Sequence, residues 1–205
     1  MRFFLPTAVS GLLTFLVGCY GQLPVSGPMP PGNGNNYLGG LATTRQPTGP
    51  IPDNVSFWDG DGVPGAPKIV IKLSDQTAYF YKGDQIVGKS KVSTGTPEHQ
   101  TPTGSFKITE KDEDHRSNLY GVFKDSSGRV VNDEVDTRKD MPPPPGLVYE
   151  GADMYHFMRF NGGVGMHAGL LPGYPASHGC VRMPAHMAEI FYKNVKWGTP
   201  VIVTR

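Results

Sequence analysis

Cysteine is nearly absent: the 205 residues hold two, Cys19 and Cys180. That excludes a disulfide-rich scaffold and a four-cysteine zinc site. An excess of one charge is missing too, because 19 Lys and Arg face 18 Asp and Glu, for a formal net charge of +1. The balance gives no electrostatic footprint for a nucleic-acid partner. Long apolar runs are lacking beyond the first residues. Present in excess are Gly and Pro, 27 and 20 residues, and nineteen of these 47 fall between Tyr20 and Pro67. The length suits one domain of catalytic size with an appendage.

Residues 1–18 read as an export signal. Arg2 supplies the positive start, and Phe3 to Val17 are mostly apolar but broken by Pro6 and Gly11. The run is too short for a membrane span. Its end, Leu16-Val17-Gly18-Cys19, resembles a bacterial lipobox. The resemblance implies a lipidated Cys19 and a membrane tether through its acyl chains. An ordinary secretory signal with an incidental cysteine is the alternative. In Gram-negative lipoproteins an aspartate after the cysteine commonly marks inner-membrane retention; Tyr20 in that place favours the periplasmic face of the outer membrane. With Cys19 acylated, Cys180 has no disulfide partner. A lone thiol in an oxidising compartment must be buried or functional.

Residues 19–67 form the expected tether, too rich in Gly and Pro to bury a core. Val55-Ser56-Phe57-Trp58 either docks on the folded domain or stays with the tether. Order is expected from Lys68 to Arg205. Ile69–Leu73, Ala78–Tyr81 and Lys89–Thr94 read as successive strands separated by turns, a β-meander. Ser105–Thr109 follows the Thr101-Pro102-Thr103-Gly104 turn as another strand. Residues 110–140 read as charged and irregular apart from a hairpin through Asp125-Ser126-Ser127-Gly128. Pro142 to Pro145 predict a stiff exposed loop. Tyr155 to Phe160 alternate like a strand. One short helix is expected from Pro184, with Met187, Ile190, Phe191 and Val195 at helical spacing, before a last strand at Val201–Val203. The class is mainly β.

The chemistry concentrates in Met166-His167-Ala168-Gly169 and Ser177-His178-Gly179-Cys180-Val181-Arg182. Thiol catalysis needs a thiolate, and a free cysteine ionises only near pKa ~8.5. An imidazole can take that proton and return it to a leaving amine. Glycine before the nucleophile permits a sharp turn that aims backbone N–H groups at an oxyanion. His167 arrives from a separate segment and is the candidate base. Ser177, His178 and Gly179 are support and oxyanion candidates. Arg182, through its bidentate fork, and Tyr155 are substrate-binding candidates. His99, His115, His156 and His186 read as structural or solvated. No carboxylate or second cysteine lies within the motif, so no metal is expected.

These motifs, with Val92-Ser93-Thr94-Gly95 and Thr101-Pro102-Thr103-Gly104-Ser105-Phe106 upstream, resemble an L,D-transpeptidase catalytic domain of the YkuD type, from about Lys68 to Arg205. The resemblance implies a β-sandwich with one short helix after the catalytic motif and no cofactor. It implies Cys180 as nucleophile, His167 as general base oriented by the carbonyl of Ala168, and a peptidoglycan stem tetrapeptide as donor. A 3→3 cross-link is the expected product. Water as acceptor would make a carboxypeptidase, and a lipoprotein lysine would make a wall-attachment enzyme; residues 110–140 and the Pro142–Pro145 loop are the candidate partner-binding elements. A reading of another class is a non-catalytic, lipid-anchored wall-binding module.

Overall fold

The computed structural model describes residues 53–205. The candidate export signal, Cys19, Tyr20 and residues 21–52 lie outside the described residues. In chain order the strands are β1 (Phe57–Trp58), β2 (Pro67–Lys72), β3 (Thr77–Lys82), β4 (Gln85–Lys91), β5 (Gly104–Lys107), β6 (Glu110–Asp112), β7 (Arg116–Lys124) and β8 (Val130–Asp136). The single-turn helix α1 (Thr137–Asp140) follows. Then come β9 (Val148–Asp153), β10 (Phe157–Asn161), β11 (Val164–Ala168), β12 (Val181–Met183), helix α2 (Ala185–Asn194) and β13 (Pro200–Thr204).

Three sheets result. The first has six strands in the order β1-β4-β3-β2-β13-β5. Its centre is the expected meander, joined by β13 running parallel to β2. Ile69 and Ile71 alternate with Lys68, Val70 and Lys72, so one face is apolar and the other is not. The second sheet is β12-β11-β10-β6, with β11 and β12 parallel. Met158, Phe160, Met166, Val181 and Met183 turn one face of it to the core that Ile69, Phe80, Val201 and their neighbours build from the first sheet. Met187, Ala188 and Phe191 bring α2 into the same core. Trp58 packs there edge-on against Phe80, centroids 5.2 Å apart.

The third sheet, β8-β7-β9, extends the hairpin expected through Asp125–Gly128 into long strands within the otherwise irregular segment and adds β9 from beyond it. β7 is nine residues long, with only Gly121 and Phe123 buried. A strand so lightly buried carries no apolar alternation for sequence to display. The turn at Asp125–Gly128 is where expected, closed by Gly128 N–H on the Asp125 carbonyl. α1 adds a second helix to the one anticipated; Asp136 caps it through the Arg138 N–H. Structured chain also begins before Lys68. Phe57 and Trp58 pair with Lys89 and Gly88, because burying the indole against Phe80 and Phe191 outweighs ordering a short segment. Tyr155 stands before β10 rather than in it: His156 adopts φ 57° and breaks the strand. Pro142 and Pro144–Pro145 are exposed outside any strand. Among the described residues no helix is long and apolar enough to cross a membrane.

Candidate active site

The parallel β11–β12 pair positions the chemistry. Met166 lies opposite Val181, His167 opposite Arg182 and Ala168 opposite Met183. Met166, Val181 and Met183 point into the core. Alternation therefore turns His167 and Arg182 to the opposite face. One step back along this register brings Cys180 beside Gly165. The Gly165 N–H points at the sulfur, and Sγ lies 3.8 Å from the Gly163 carbonyl oxygen. Gly165 must be glycine: a Cβ there would sit 2.5 Å from the Phe157 ring.

His167 is buried, 6% exposed. Its Nδ1 is 2.8 Å from the carbonyl oxygen of Ala168. A carbonyl only accepts, so Nδ1 carries the proton and Nε2 keeps its lone pair. Burial pushes the imidazole down to about 4, against the opposing pull of the Ala168 bond; the charges of Arg182 and His115 add to the fall. The ring is neutral at pH 7. Burial also raises the Cys180 thiol, partly offset by the Gly165 N–H and by Arg159 and Arg182. Both shifts favour the uncharged forms, thiol for Cys180 and imidazole for His167.

Phe157 covers this face of β11, with centroids 6.3 Å from His167. His115 stacks on Phe157 at 4.2 Å, and Arg159 lies over the same ring at 5.0 Å. Arg159 also pairs with Glu110 at 2.6 Å. Glu110, Asp112 and His115 offer three ligand atoms within 4.8 Å of one another; Arg159 and the 3.0 Å Asp112–His115 contact already engage them.

The turn before Cys180 is clamped from inside. Ser177 is buried; its hydroxyl donates to the Cys180 carbonyl and accepts from Gly179 N–H at 3.1 Å. Gly179 has φ 111°, a conformation other residues rarely adopt. Its N–H is occupied by Ser177, so Gly179 supports the turn rather than facing a substrate oxygen. Thr101, buried, donates to the Gly179 carbonyl at 2.8 Å and accepts from Gly95 N–H at 2.9 Å. Gly95 in turn pairs with Ser177; a Cβ on it would be 3.0 Å from the Gly179 Cα and 1.9 Å from the His99 carbonyl oxygen. Thr94 is held by Gln76 through two bonds, 2.9 and 2.7 Å. The upstream Ser-Thr-Gly and Thr-Pro-Thr-Gly stretches therefore scaffold the cysteine turn.

His178 points elsewhere. It is exposed, lies edge-to-face with His99 at 4.8 Å and stacks on Tyr120 of β7 at 4.3 Å and 19°. Tyr120 accepts from Arg138 at 2.8 Å, and Arg138 pairs with Asp136. Burial and the neighbouring His99 lower the His178 pKa, with Asp136 and Glu134 opposing. Arg182 is half-buried, its stem packed on Gly169, and burial lowers its pKa. Tyr155 is exposed; its carbonyl accepts from Ala168 N–H at 2.9 Å. His156 meets the Tyr192 ring and His186 lies 3.8 Å from Asp53, both away from the sulfur. A cavity of about 810 Å³ opens between the Gly169–Gly173 loop, Lys91 and the start of α2, and neither Cys180 nor His167 lines it. Sequence reasoning gave no site role to Tyr120 and His99, which arrive from distant segments, or to Phe157 and Arg159 on the neighbouring strand β10; Thr101 lay in a quoted motif and was given no role.

Residues 66–203 match the YkuD family, described as an L,D-transpeptidase catalytic domain. No curated protein matches. Among solved structures, an L,D-transpeptidase from Mycobacterium smegmatis is similar at 22% identity with TM-score 0.52, over 68% of this chain and 59% of that one. One from Xylanimonas cellulosilytica is similar at 22% identity with TM-score 0.51, over 69% and 61%. An LD-transpeptidase in complex with imipenem is similar at 20% identity with TM-score 0.52, over 68% and 59%. At these identities the likeness is one of fold, and the chain spans less than two thirds of each of these structures.

Proposed function

The chain belongs to the YkuD family of L,D-transpeptidase catalytic domains, and from that premise we propose that it cross-links peptidoglycan through a thioester on Cys180. The donor is a stem tetrapeptide. Cys180 Sγ attacks the carbonyl between the third residue, at its L-configured centre, and terminal D-alanine. Nε2 of His167 takes the thiol proton as the C–S bond forms, then gives it to the amine as the C–N bond breaks and D-alanine leaves. An amine of a second stem attacks the thioester, His167 takes its proton, and the thiol is restored with a 3→3 cross-link made. Of the N–H groups at the turn, Gly179's is taken; those of His178 and Cys180 are the candidates for the tetrahedral oxyanion. Arg182, beside His167, is the candidate to hold a substrate carboxylate.

The observation that carries this reading is the Nδ1–Ala168 bond. It fixes the tautomer in which Nε2 is a base, on the strand next to the cysteine and on the same face. A neutral thiol–imidazole pair transfers its proton during attack rather than beforehand, which suits a thiol held protonated by burial. Export and anchoring through Cys19, with the outer membrane favoured in a Gram-negative cell, complete the proposal. Its test is release of D-alanine and formation of a dimeric muropeptide from a purified disaccharide-tetrapeptide. Both should require Cys180; full activity of Cys180→Ala sinks the assignment, and D-alanine release without dimer means water is the acceptor.

A further inference from the structure

The near-zero net charge conceals an uneven distribution, in which the carboxylates of the first sheet, Asp59, Asp61, Asp75 and Asp84, are confined to its turns and loops. None of the six strands of the first sheet contains an Asp or Glu. Eleven of the chain's 18 carboxylate residues instead lie between Glu110 and Asp153. The register collects lysines on the outward side of the first sheet. Lys68 is opposite Tyr81, Tyr79 opposite Lys89, and Thr77 opposite Lys91. Lys72 pairs with Thr204, and Pro200 with Lys107. All five lysines are half-buried or exposed. None joins an ion pair among the described residues, whose ten pairs all involve other side chains. Such a face repels itself in isolation and is complementary to an anionic surface.

The side chains narrow the anion. Every cation on these strands is lysine, a flexible, strongly hydrated point charge that meets a diffuse anionic surface without the fixed bidentate geometry of an arginine fork. Tyr79 and Tyr81 look like platforms for sugar rings, but lysine ammonium groups already lie over them. Lys68 Nζ lies 4.6 Å from the Tyr81 centroid, and those of Lys72 and Lys89 lie 5.5 and 6.0 Å from that of Tyr79. The rings prop up ammonium groups rather than stack on pyranoses. The sheet core separates this face from the site: Ile69, Ile71 and Phe80 point from it toward the second sheet, whose far face bears Cys180 and His167. β1 is an edge strand of the same sheet, and the lipobox-like Cys19 lies ahead of it in the chain.

We propose that the outward face of the first sheet docks on a membrane surface rich in anionic phospholipid headgroups, holding the enzyme flat with Cys180 directed away from the lipid. The proposal goes beyond the transpeptidase reading and does not depend on it. It draws on the lipobox reading only for choosing lipid over another anionic surface.

The test is vesicle co-sedimentation of the full chain carrying Cys19→Ser, so that no acyl chain contributes. Vesicles of about one part phosphatidylglycerol to two of phosphatidylcholine are compared with phosphatidylcholine alone, which subtracts any pull from the apolar N-terminus. A face variant, Lys68→Gln with Lys72→Gln and Lys89→Gln, is set against a control of equal charge change, Lys139→Gln with Lys193→Gln and Lys196→Gln. The face variant should bind anionic vesicles on the order of a hundredfold more weakly, about fivefold per lysine, and the control within about twofold of the parent. High salt should abolish the difference. Should the triple variant melt early, Lys72→Gln with Lys107→Gln, both at exposed positions, is read the same way, with about a 25-fold loss expected. Equal losses in face and control variants, or no preference for anionic vesicles, overturn the proposal. So does lysine-dependent binding to purified wall sacculi without vesicle binding, which would assign the face to a wall polymer.

Discussion

Cys180 stands beside Gly165 across the parallel β11–β12 pair, where the neighbouring strand offers an N–H and no side chain. The sulfur is thereby held without being covered, and the next outward residue of that strand is His167. Gly165→Ala puts a methyl 2.5 Å from Phe157 and 2.8 Å from the Met158 carbonyl oxygen. It should lower stability by about 1–3 kcal/mol by overpacking and slow acylation of Cys180 by a carbapenem. A thermal melt and an intact-mass time course check both; an unperturbed melt would mean that the Phe157 ring yields.

Thr101 ties Gly95 to Gly179 and so holds the cysteine turn from the other side of the chain. Thr101→Val keeps the shape and leaves a buried N–H and carbonyl unpaired. A loss of about 1–3 kcal/mol is expected in denaturant unfolding, with a slower acylation rate.

His167 makes stability depend on pH. Its folded pKa of about 4 lies below the ordinary value near 6.5. Between those values the unfolded chain binds a proton that the folded chain refuses. The stabilisation is therefore complete above pH ~6.5 and is lost as pH falls toward 4, by about 3 kcal/mol at most. His167→Asn, which can still donate to the Ala168 carbonyl, should flatten this part of the profile. An unchanged acid slope in that variant would place the titrating group elsewhere.

Tyr120 brings the third sheet to the turn before Cys180 by stacking on His178. Tyr120→Ala should slow acylation about two- to tenfold, the worth of one aromatic contact. Tyr120→Phe keeps the ring, loses the Arg138 bond and should stay near the parent rate. Equal slowing in both would shift the weight to the Arg138 hydroxyl contact.

Much of this was legible in the sequence for local reasons. The meander, β13 and α2 announce themselves by period, since each buries one face in the core. Two short motifs singled out Cys180 and His167 as candidates, and the family resemblance implied the contact that His167 makes with the Ala168 carbonyl. Within residues 110–140 the hairpin turn at Asp125–Gly128 was legible, but the extent of β7 and β8 around it was not, because they bury so few side chains that no alternation marks them. Tyr120 and His99 meet at His178 only through folding, and nothing near either residue signals it. Gly179 was read as an oxyanion candidate from its type alone; that Ser177 occupies its N–H is a fact of the turn. Trp58 carried the right chemistry for docking, yet two residues are too few to establish a strand.

The division of labour between the two motif histidines is the centre of the account. His167 is buried, with Nε2 left as a base, whereas His178 is occupied by Tyr120 and His99. The most direct test is the rate of carbapenem acylation of Cys180, read by intact mass, in His167→Ala and His178→Ala proteins that remain folded by circular dichroism. The account predicts a loss on the order of two to four decades for His167→Ala, the worth of a missing general base, and a much smaller loss for His178→Ala. Comparable losses in the two variants, or acylation of His167→Ala at the parent rate, would contradict it.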